Sequence, residues 1–317
     1  MKNDNFDSQD DQITQNDNII QFPGAAQLPG DSEPRDLPPD EQLPAPMEKA
    51  VNLTTLFKPG KKDSQAKAMV SMASMTATFL HTPDGEAYAC IDEDGFHKTI
   101  RVKSEEAGLW LTRLIYNATE TVPNPSSLKT ALRTLEAKAR FDGPETEVHI
   151  KYAAHVGCIY IDLVNEKWEQ VEISPEGSRV ISAKDSPVKF RRERGMASMC
   201  HPAENGSLDP LRDILNLESE ADFKLIVGWL IGAMNPDGPF PILTLVGEQG
   251  SSKSTTARLL KQLTDPASID LVALPKSERD LAIAARKTWT LPYDNLSKLS
   301  NGLSDAFCRL STGGGFR

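Results

Sequence analysis

Residues 240–260, FPILTLVGEQGSSKSTTARLL, constrain this chain more than any other stretch. Residues 242–246 form a short apolar run that reads as a buried strand. Gly247, Glu248, Gln249, Gly250, Ser251, Ser252, Lys253 and Ser254 follow without a gap, and Thr255 opens a segment of helical character. In that segment Ala257, Leu259, Leu260 and Leu263 fall near one face. Strand, glycine-bearing loop, Lys-Ser and helix, in that order, make up the arrangement that cradles phosphate groups.

The chemistry explains the spacing. Glycine lets backbone N–H groups curl around phosphate oxygens, and the positive end of the following helix adds to the cradle. On this reading residues 247–255 bind a nucleotide, the ammonium of Lys253 reaches its β- and γ-phosphates, and the Ser254 hydroxyl ligates Mg²⁺. One position departs from the usual G-x-x-x-x-G-K-[ST] pattern: Ser252 stands where the second glycine is expected, with Gly250 nearby to supply backbone freedom.

Such a loop needs a second group to hold the metal, usually an Asp at the end of an apolar strand. Asp294 follows the run Trp289 to Tyr293 and lies 40 residues after Ser254, although Pro292 is awkward in a central strand. Asp294 is therefore the expected Mg²⁺ partner; a turn formed by the Asp-Asn pair is the structural alternative. Asn295 occupies a place where a Glu would activate water, and a neutral amide can orient water but is a poor base. Arg286 and Arg309 are the candidates for a charge-stabilising arginine, with surface or structural roles as the alternative.

The length of 317 residues accommodates about two domains. The net charge of −10 is uneven: residues 1–46 carry ten acidic side chains against Lys2 and Arg35, a net −8, which leaves 35 acids against 33 bases in the rest. The remainder is nearly neutral, so global acidity does not argue against a nucleic-acid partner. Residues 1–66, rich in Asp, Asn, Gln and Pro, read as a disordered acidic arm, either a solubilising tail or a docking arm with residues 19–22 as its apolar cluster. The four cysteines are far apart and form no CxxC pair, the start is polar rather than a secretory signal, and residues 225–234 are too short an apolar run to span a bilayer. These features predict a cytoplasmic protein with no membrane segment.

Between these parts, residues 67–203 read as a small α+β domain. A strand is expected within 69–80 and a hairpin about residues 92–95. Two helices follow, over 104–118 with Leu109, Leu111, Leu114 and Ile115 inside, and over 126–139. A meander then runs through 147–152, 158–163, 168–173, 178–182 and 188–190. The basic residues Lys184, Lys189, Arg191, Arg192 and Arg194 at its end fit either a seam against the next domain or a nucleic-acid contact. Residues 204–317 form the second domain, opening with a helix over 209–215 capped by Asp209 and a longer one over 219–234. Further strands are expected at 269–274 and 289–293, with a helix between them at 277–285.

The segments GEQGSSKST, SERDLAIAARKTW, YDNLS and LSDAFCRLSTGGGF together resemble a family of mobile-element and phage ATP-binding proteins related to superfamily 3 helicases and primase-helicases. The likeness covers residues 205–317 most strongly; upstream, EAKARFDGPE, IYIDL, VEISPEG and VKFRR are similar to the domain that precedes the ATPase in such proteins. The resemblance implies an AAA+-like α/β P-loop NTPase, binding ATP and Mg²⁺ through Lys253, Ser254 and Asp294, forming a homo-oligomeric ring and acting on DNA. It also implies further strands, a sensor residue and an arginine finger after Gly313, so the chain reads as truncated at Arg317. Two other classes remain open at this point: a non-motor nucleotide switch or phosphotransferase, and a non-catalytic interaction protein that retains nucleotide binding.

Overall fold

The computed structural model describes residues 62–314 apart from 94, 204 and 297. The expected acidic arm therefore lies almost wholly outside the described residues. The described residues belong to one unit, Val51–Arg317.

The described residues open with a helix, α1 (Lys62–Thr76), and then a three-stranded antiparallel meander of β1 (Ala77–His81), β2 (Ala87–Glu93) and β3 (Phe96–Arg101). The expected strand within 69–80 is thus mostly helix. Ala66, Met69, Met72 and Ala73 are buried at helical spacing, and the Ala-, Met- and Ser-rich run has only Val70 and Thr76 as the branched side chains that favour a pleated strand. The hairpin expected about residues 92–95 is present, with Cys90 opposite Thr99 and Glu93 opposite Phe96.

Two helices cover this sheet. In α2 (Glu105–Thr119) the hydroxyl of Ser104 accepts from the Ala107 amide at 3.1 Å, and Glu105 and Glu106 lie at the positive helix end. In α3 (Pro125–Phe141) Asn124 caps and Pro125 occupies the first turn. Ala107, Leu111 and Ile115 form the buried stripe of α2 at intervals of four. Leu109, expected inside, is 65% exposed because it lies off that stripe. The three helices and the sheet share one apolar core, including Met69, Ile91, Leu111 and Leu135.

After β4 (Val148–His149) comes a four-stranded antiparallel sheet of β5 (Tyr152–His155), β6 (Cys158–Asp162), β7 (Glu169–Ser174) and β8 (Gly177–Ser182). The last strand, β9 (Lys189–Phe190), does not extend this meander as expected; it pairs in parallel with β4. Val188 and Phe190 bury with Ala153 and Tyr160, and the chain reaches that core by leaving the largely exposed edge strand β8.

The basic run is stitched into the protein at this point. Arg192 donates to both carboxylate oxygens of Asp162, at 2.9 and 2.7 Å, and its guanidinium lies 3.8 Å from the centre of the Trp168 ring. Arg191 pairs with Glu193 and donates to the Arg286 carbonyl at 2.8 Å. Arg194 meets Glu105 at 2.6 Å on an exposed surface.

The remaining chain holds α4 (Asp209–Ile214), α5 (Glu220–Ala233), α6 (Lys253–Thr264), β10 (Val272–Ala273), α7 (Glu278–Ala285), β11 (Tyr293–Asp294) and α8 (Asn301–Ser311). The cap position of α4 is Leu208 rather than Asp209, and it makes no side-chain cap bond; Asp209 instead receives the Ser207 hydroxyl. Ser219, Ser277 and Ser300 cap α5, α7 and α8. Leu215, Phe223, Ile226, Leu230 and Leu260 form the core that joins α4, α5 and α6. At the end of α8, Gly313 takes φ 73°; its N–H bonds the Leu310 carbonyl and the next N–H bonds that of Arg309, a Schellman closure. The strands expected at 269–274 and 289–293 shrink to two residues each, paired in parallel as Val272 with Tyr293 and Ala273 with Asp294.

Lys151 is wholly buried, and its ammonium donates to the Asp162 carbonyl at 3.0 Å. Burial pushes its pKa down to about 8, against the opposing pull of the Asp162 and Asp265 carboxylates. The unfolded chain, with an ordinary lysine, then binds more protons than the folded one between about pH 8 and 10, so this group makes stability rise with pH across that window. Urea melts of wild type and Lys151→Met at pH 8 and pH 10 should differ in this pH increment by about 1–3 kcal/mol. Equal increments in the two proteins would show that Lys151 titrates normally.

Candidate phosphate and metal site

The loop before α6 is shaped by its backbone. Gly250 has φ 86° with no atom within 4 Å of where a Cβ would stand, so only the backbone conformation asks for glycine there. At Gly247 the loop closes tightly: a Cβ would meet the Ser251 hydroxyl oxygen at 2.8 Å. Ser252, the residue in place of the second glycine, is the N-cap of α6 and is left-handed at φ 66°, ψ 15°. The position thus demands the conformation that glycine supplies most cheaply, and a serine holds it.

Lys253 bends back over the loop. Its ammonium donates to the carbonyls of Gly247 at 2.8 Å and Glu248 at 2.5 Å, and to the Ser251 hydroxyl at 3.1 Å. Ser251 also donates to the Glu248 carbonyl, at 2.8 Å. Gln249 and Thr255 are exposed. The first turn of α6 has no acidic residue and no side-chain cap, so the positive end of the helix faces outward without an anionic partner from its own first turn. Lysine charge, loop amides and helix end lie together on an exposed surface, a donor set suited to an anion.

In the first turn of α6, the Ser254 hydroxyl lies 3.2 and 3.1 Å from the two carboxylate oxygens of Asp294. Forty residues separate the pair in sequence. Asp294 comes from β11, and one of its oxygens also accepts the Asn295 amide at 2.9 Å. Hydroxyl and carboxylate are hard oxygen donors of the kind that hold Mg²⁺, which takes few protein ligands and completes its shell with water and phosphate oxygens. Among the described residues no group of three or more His, Cys, Asp and Glu side chains gathers as a metal cage.

Other expected features stand differently. Residues 242–246 pair with no strand among the described residues; Ile242 is 58% and Val246 87% exposed. A parallel strand is buried by neighbours on both edges and helices on both faces, and here only Leu243 packs against the α4–α6 core. The stretch is held instead at its start, where the Phe240 amide bonds the Ser311 carbonyl at 2.7 Å and the Pro241 carbonyl receives the Trp229 indole N–H at 2.9 Å. Arg309 is ion-paired with Glu278, between α8 and α7. Arg286 ends α7, and its charge helps the Thr82 hydroxyl hold the Asp84 carboxyl below its usual range. Neither of these contacts involves residues 247–254. Asn295 is exposed, with φ 57°.

A buried node at the far end of α6 was not read from the sequence. Lys261 and Asp265 form an ion pair of 2.6 Å with almost no solvent exposure. The same Asp265 oxygen accepts the Trp289 amide at 2.9 Å and the Thr290 amide at 3.1 Å, while Lys261 donates to the Thr290 carbonyl at 2.9 Å. Burial lowers the Lys261 pKa, opposed by the Asp265 charge. Tyr152 donates to the Thr264 carbonyl, and the Tyr152 and Trp289 rings lie 5.1 Å apart. The sequence signal was slight, a Lys and an Asp four apart at a helix end.

Residues 208–316 match a family model described as actinomycete integrative conjugative element replication protein. The match covers about a third of the chain and includes the loop, α6 and Asp294. It supports the mobile-element side of the resemblance and bears on replication rather than on nucleotide chemistry. No curated protein matches the chain. Among the described residues, no helix is long and apolar enough to cross a membrane.

The left-handed Ser252 makes a stability prediction independent of any ligand. Ser252→Gly should stabilise the protein by about 0.5–1 kcal/mol in urea melts, because the Cβ strain is removed. Gly250→Ala should destabilise it by about 1 kcal/mol, since the space is free and only the backbone objects.

Proposed function

We propose that this chain carries the ATP-binding, Mg²⁺-dependent P-loop ATPase module of a DNA-processing replication protein from a mobile element. The approach of Ser254 to both oxygens of Asp294 across 40 residues carries the reading. A P-loop needs that pair, and a chance GxxGxxKS does not bring a strand-end Asp to its serine. The match to a replication family supports DNA as the polymer acted upon.

The roles follow from the geometry. Lys253 exchanges the Gly247 and Glu248 carbonyls for the β- and γ-phosphates of ATP. The amides at the start of α6 surround the phosphate oxygens. Ser254 and Asp294 would hold Mg²⁺, and the metal would neutralise charge on the phosphates and polarise the bond to be broken. Asn295 orients water without serving as a strong base. In an assembled ring, a neighbouring subunit would complete the site with an arginine, since Arg309 is paired to Glu278 in the present arrangement.

A second reading is nucleotide binding without turnover, and the neutral Asn295 beside Asp294 favours it. Phosphate release with and without single-stranded DNA separates the two. DNA-stimulated turnover that falls at least ~100-fold in Lys253→Ala, the scale of a lost preorganised charge, is the expected result. Binding of ATP with no turnover under either condition would favour the second reading. Absence of nucleotide binding by the wild-type protein would end both.

A further inference from the structure

We infer that Asp265, gripped by Lys261, is a positioning residue for the metal pair: it fixes the backbone at Trp289 and Thr290 and thereby sets where Asp294 stands against Ser254. This rests on the reading of Ser254 and Asp294 as a Mg²⁺ site.

The argument is one of lengths and register. From Ser254 to Asp265 the chain climbs α6 and its cap, about 16 Å at the α-helical rise. From Thr290 back to Asp294 an extended chain covers at most about 13 Å. The two segments join at one end through the Asp265 bonds and meet at the other through Ser254 and Asp294. They form a closed frame in which the return arm is about 3 Å shorter than the helix arm, and the side chains of Asp265, Ser254 and Asp294 close the difference. The arm has further contacts: the Trp289 indole N–H donates to the Ala233 carbonyl at 2.7 Å, the Val272 amide to the Pro292 carbonyl at 3.1 Å, and the Tyr293 and Phe307 rings lie 5.7 Å apart. Among the described residues, only the Asp265–Lys261 pair grips two consecutive backbone amides of it. The β10–β11 ladder is two residues long, and Pro292 within the arm has no N–H to offer. A slip of one residue would move Asp294 by about 3.3 Å and turn its side chain to the other face.

Asp265 suits the task. One buried oxygen takes two consecutive amides of the arm and the Lys261 ammonium together. Lys261 adds the Thr290 carbonyl, so one residue of the arm is held by both its N–H and its C=O. The Thr264 and Thr290 hydroxyls also meet, at 2.9 Å.

The test measures binding in the full chain, with N-methylanthraniloyl-ADP as probe, in Mg²⁺ and in EDTA. The ratio of the two affinities is the metal-dependent gain. In Lys261→Met/Asp265→Leu the amides of the arm lose their acceptor, and the gain should fall at least tenfold while affinity in EDTA stays within about twofold of wild type. In Lys261→Met/Asp265→Asn both charges go but the carboxamide oxygen still accepts, and most of the gain should return. Asp265→Glu keeps the ion pair while moving the acceptor outward by one methylene; it should lose the gain as well, and it decides the matter if the leucine variant does not melt cooperatively. An unchanged gain in the leucine and glutamate variants overturns the positioning role, as does a parallel loss of affinity in EDTA. No gain in the wild type overturns the metal reading itself, and the positioning role with it.

Discussion

A carboxylate removed from water must be surrounded by donors, or the fold must do without it. Asp265 meets that demand with three: the Lys261 ammonium and the amides of Trp289 and Thr290. Removing one member of a buried pair typically costs 3–5 kcal/mol, because the other is left charged and unpaired. The arrangement is therefore close to all-or-none. If Asp265 is buried, α6 is tied to the arm that leads to Asp294; if that arm lets go, the helix end cannot remain in the interior. The meeting of Ser254 and Asp294 depends on this condition about three turns away along α6.

The antiparallel region bears on the same node. Tyr152, at the start of β5, donates its hydroxyl to Thr264 at the end of α6, and its ring lies against Trp289. Trp289 in turn packs edge-on to Phe240 at 5.6 Å and donates its indole N–H to the Ala233 carbonyl at 2.7 Å. One indole thus touches the end of α5, the entry to the glycine loop and the four-stranded sheet. Next to Tyr152, Lys151 and Arg192 both bind Asp162, which fixes the strand end from which Tyr152 departs. A change in the antiparallel sheet has a short, packed route to the arm of Asp294, through groups whose hydrogen bonds are already satisfied.

How much of this was readable in the sequence depends on the range of the interactions involved. Local chemistry came through well. Ser104, Ser219 and Ser277 announce helix starts because a cap is made within three residues. The spacing of Gly247, Gly250, Lys253 and Ser254 names a loop because backbone geometry and side-chain reach act within eight residues. Asp294 ends a two-residue strand after an apolar run, a place its sequence context points to. Non-local pairing did not come through. Residues 188–190 look like one more meander strand, yet they cross to β4 because Val188 and Phe190 complete a core with Ala153 and Tyr160. Residues 242–246 have strand composition but lack strand neighbours among the described residues, and composition cannot report neighbours. The Lys261–Asp265 pair reads as an exposed i,i+4 pair on a helix surface. Its burial comes from what packs over it, Thr290 and Trp289 above all, which lie more than twenty residues downstream.

The two halves of the proposed site differ in how they are held, and the difference bears on how it would work. Ser254 and Asp294 are partly buried and tied to an interior node, so their separation is built in before anything binds. Lys253 is different. Its three short contacts are all to oxygens of an exposed loop, where water can replace them at little cost, and a net hydrogen bond of this kind is worth only about 1 kcal/mol. A phosphate oxygen, carrying charge, offers the ammonium a stronger partner than a neutral carbonyl. The lysine is therefore stored rather than blocked, and its release requires no rearrangement of the core. Preorganising the geometry-sensitive metal pair, while leaving the flexible cation to follow the phosphate, places rigidity where a fraction of an ångström matters and freedom where a long side chain can make up the distance.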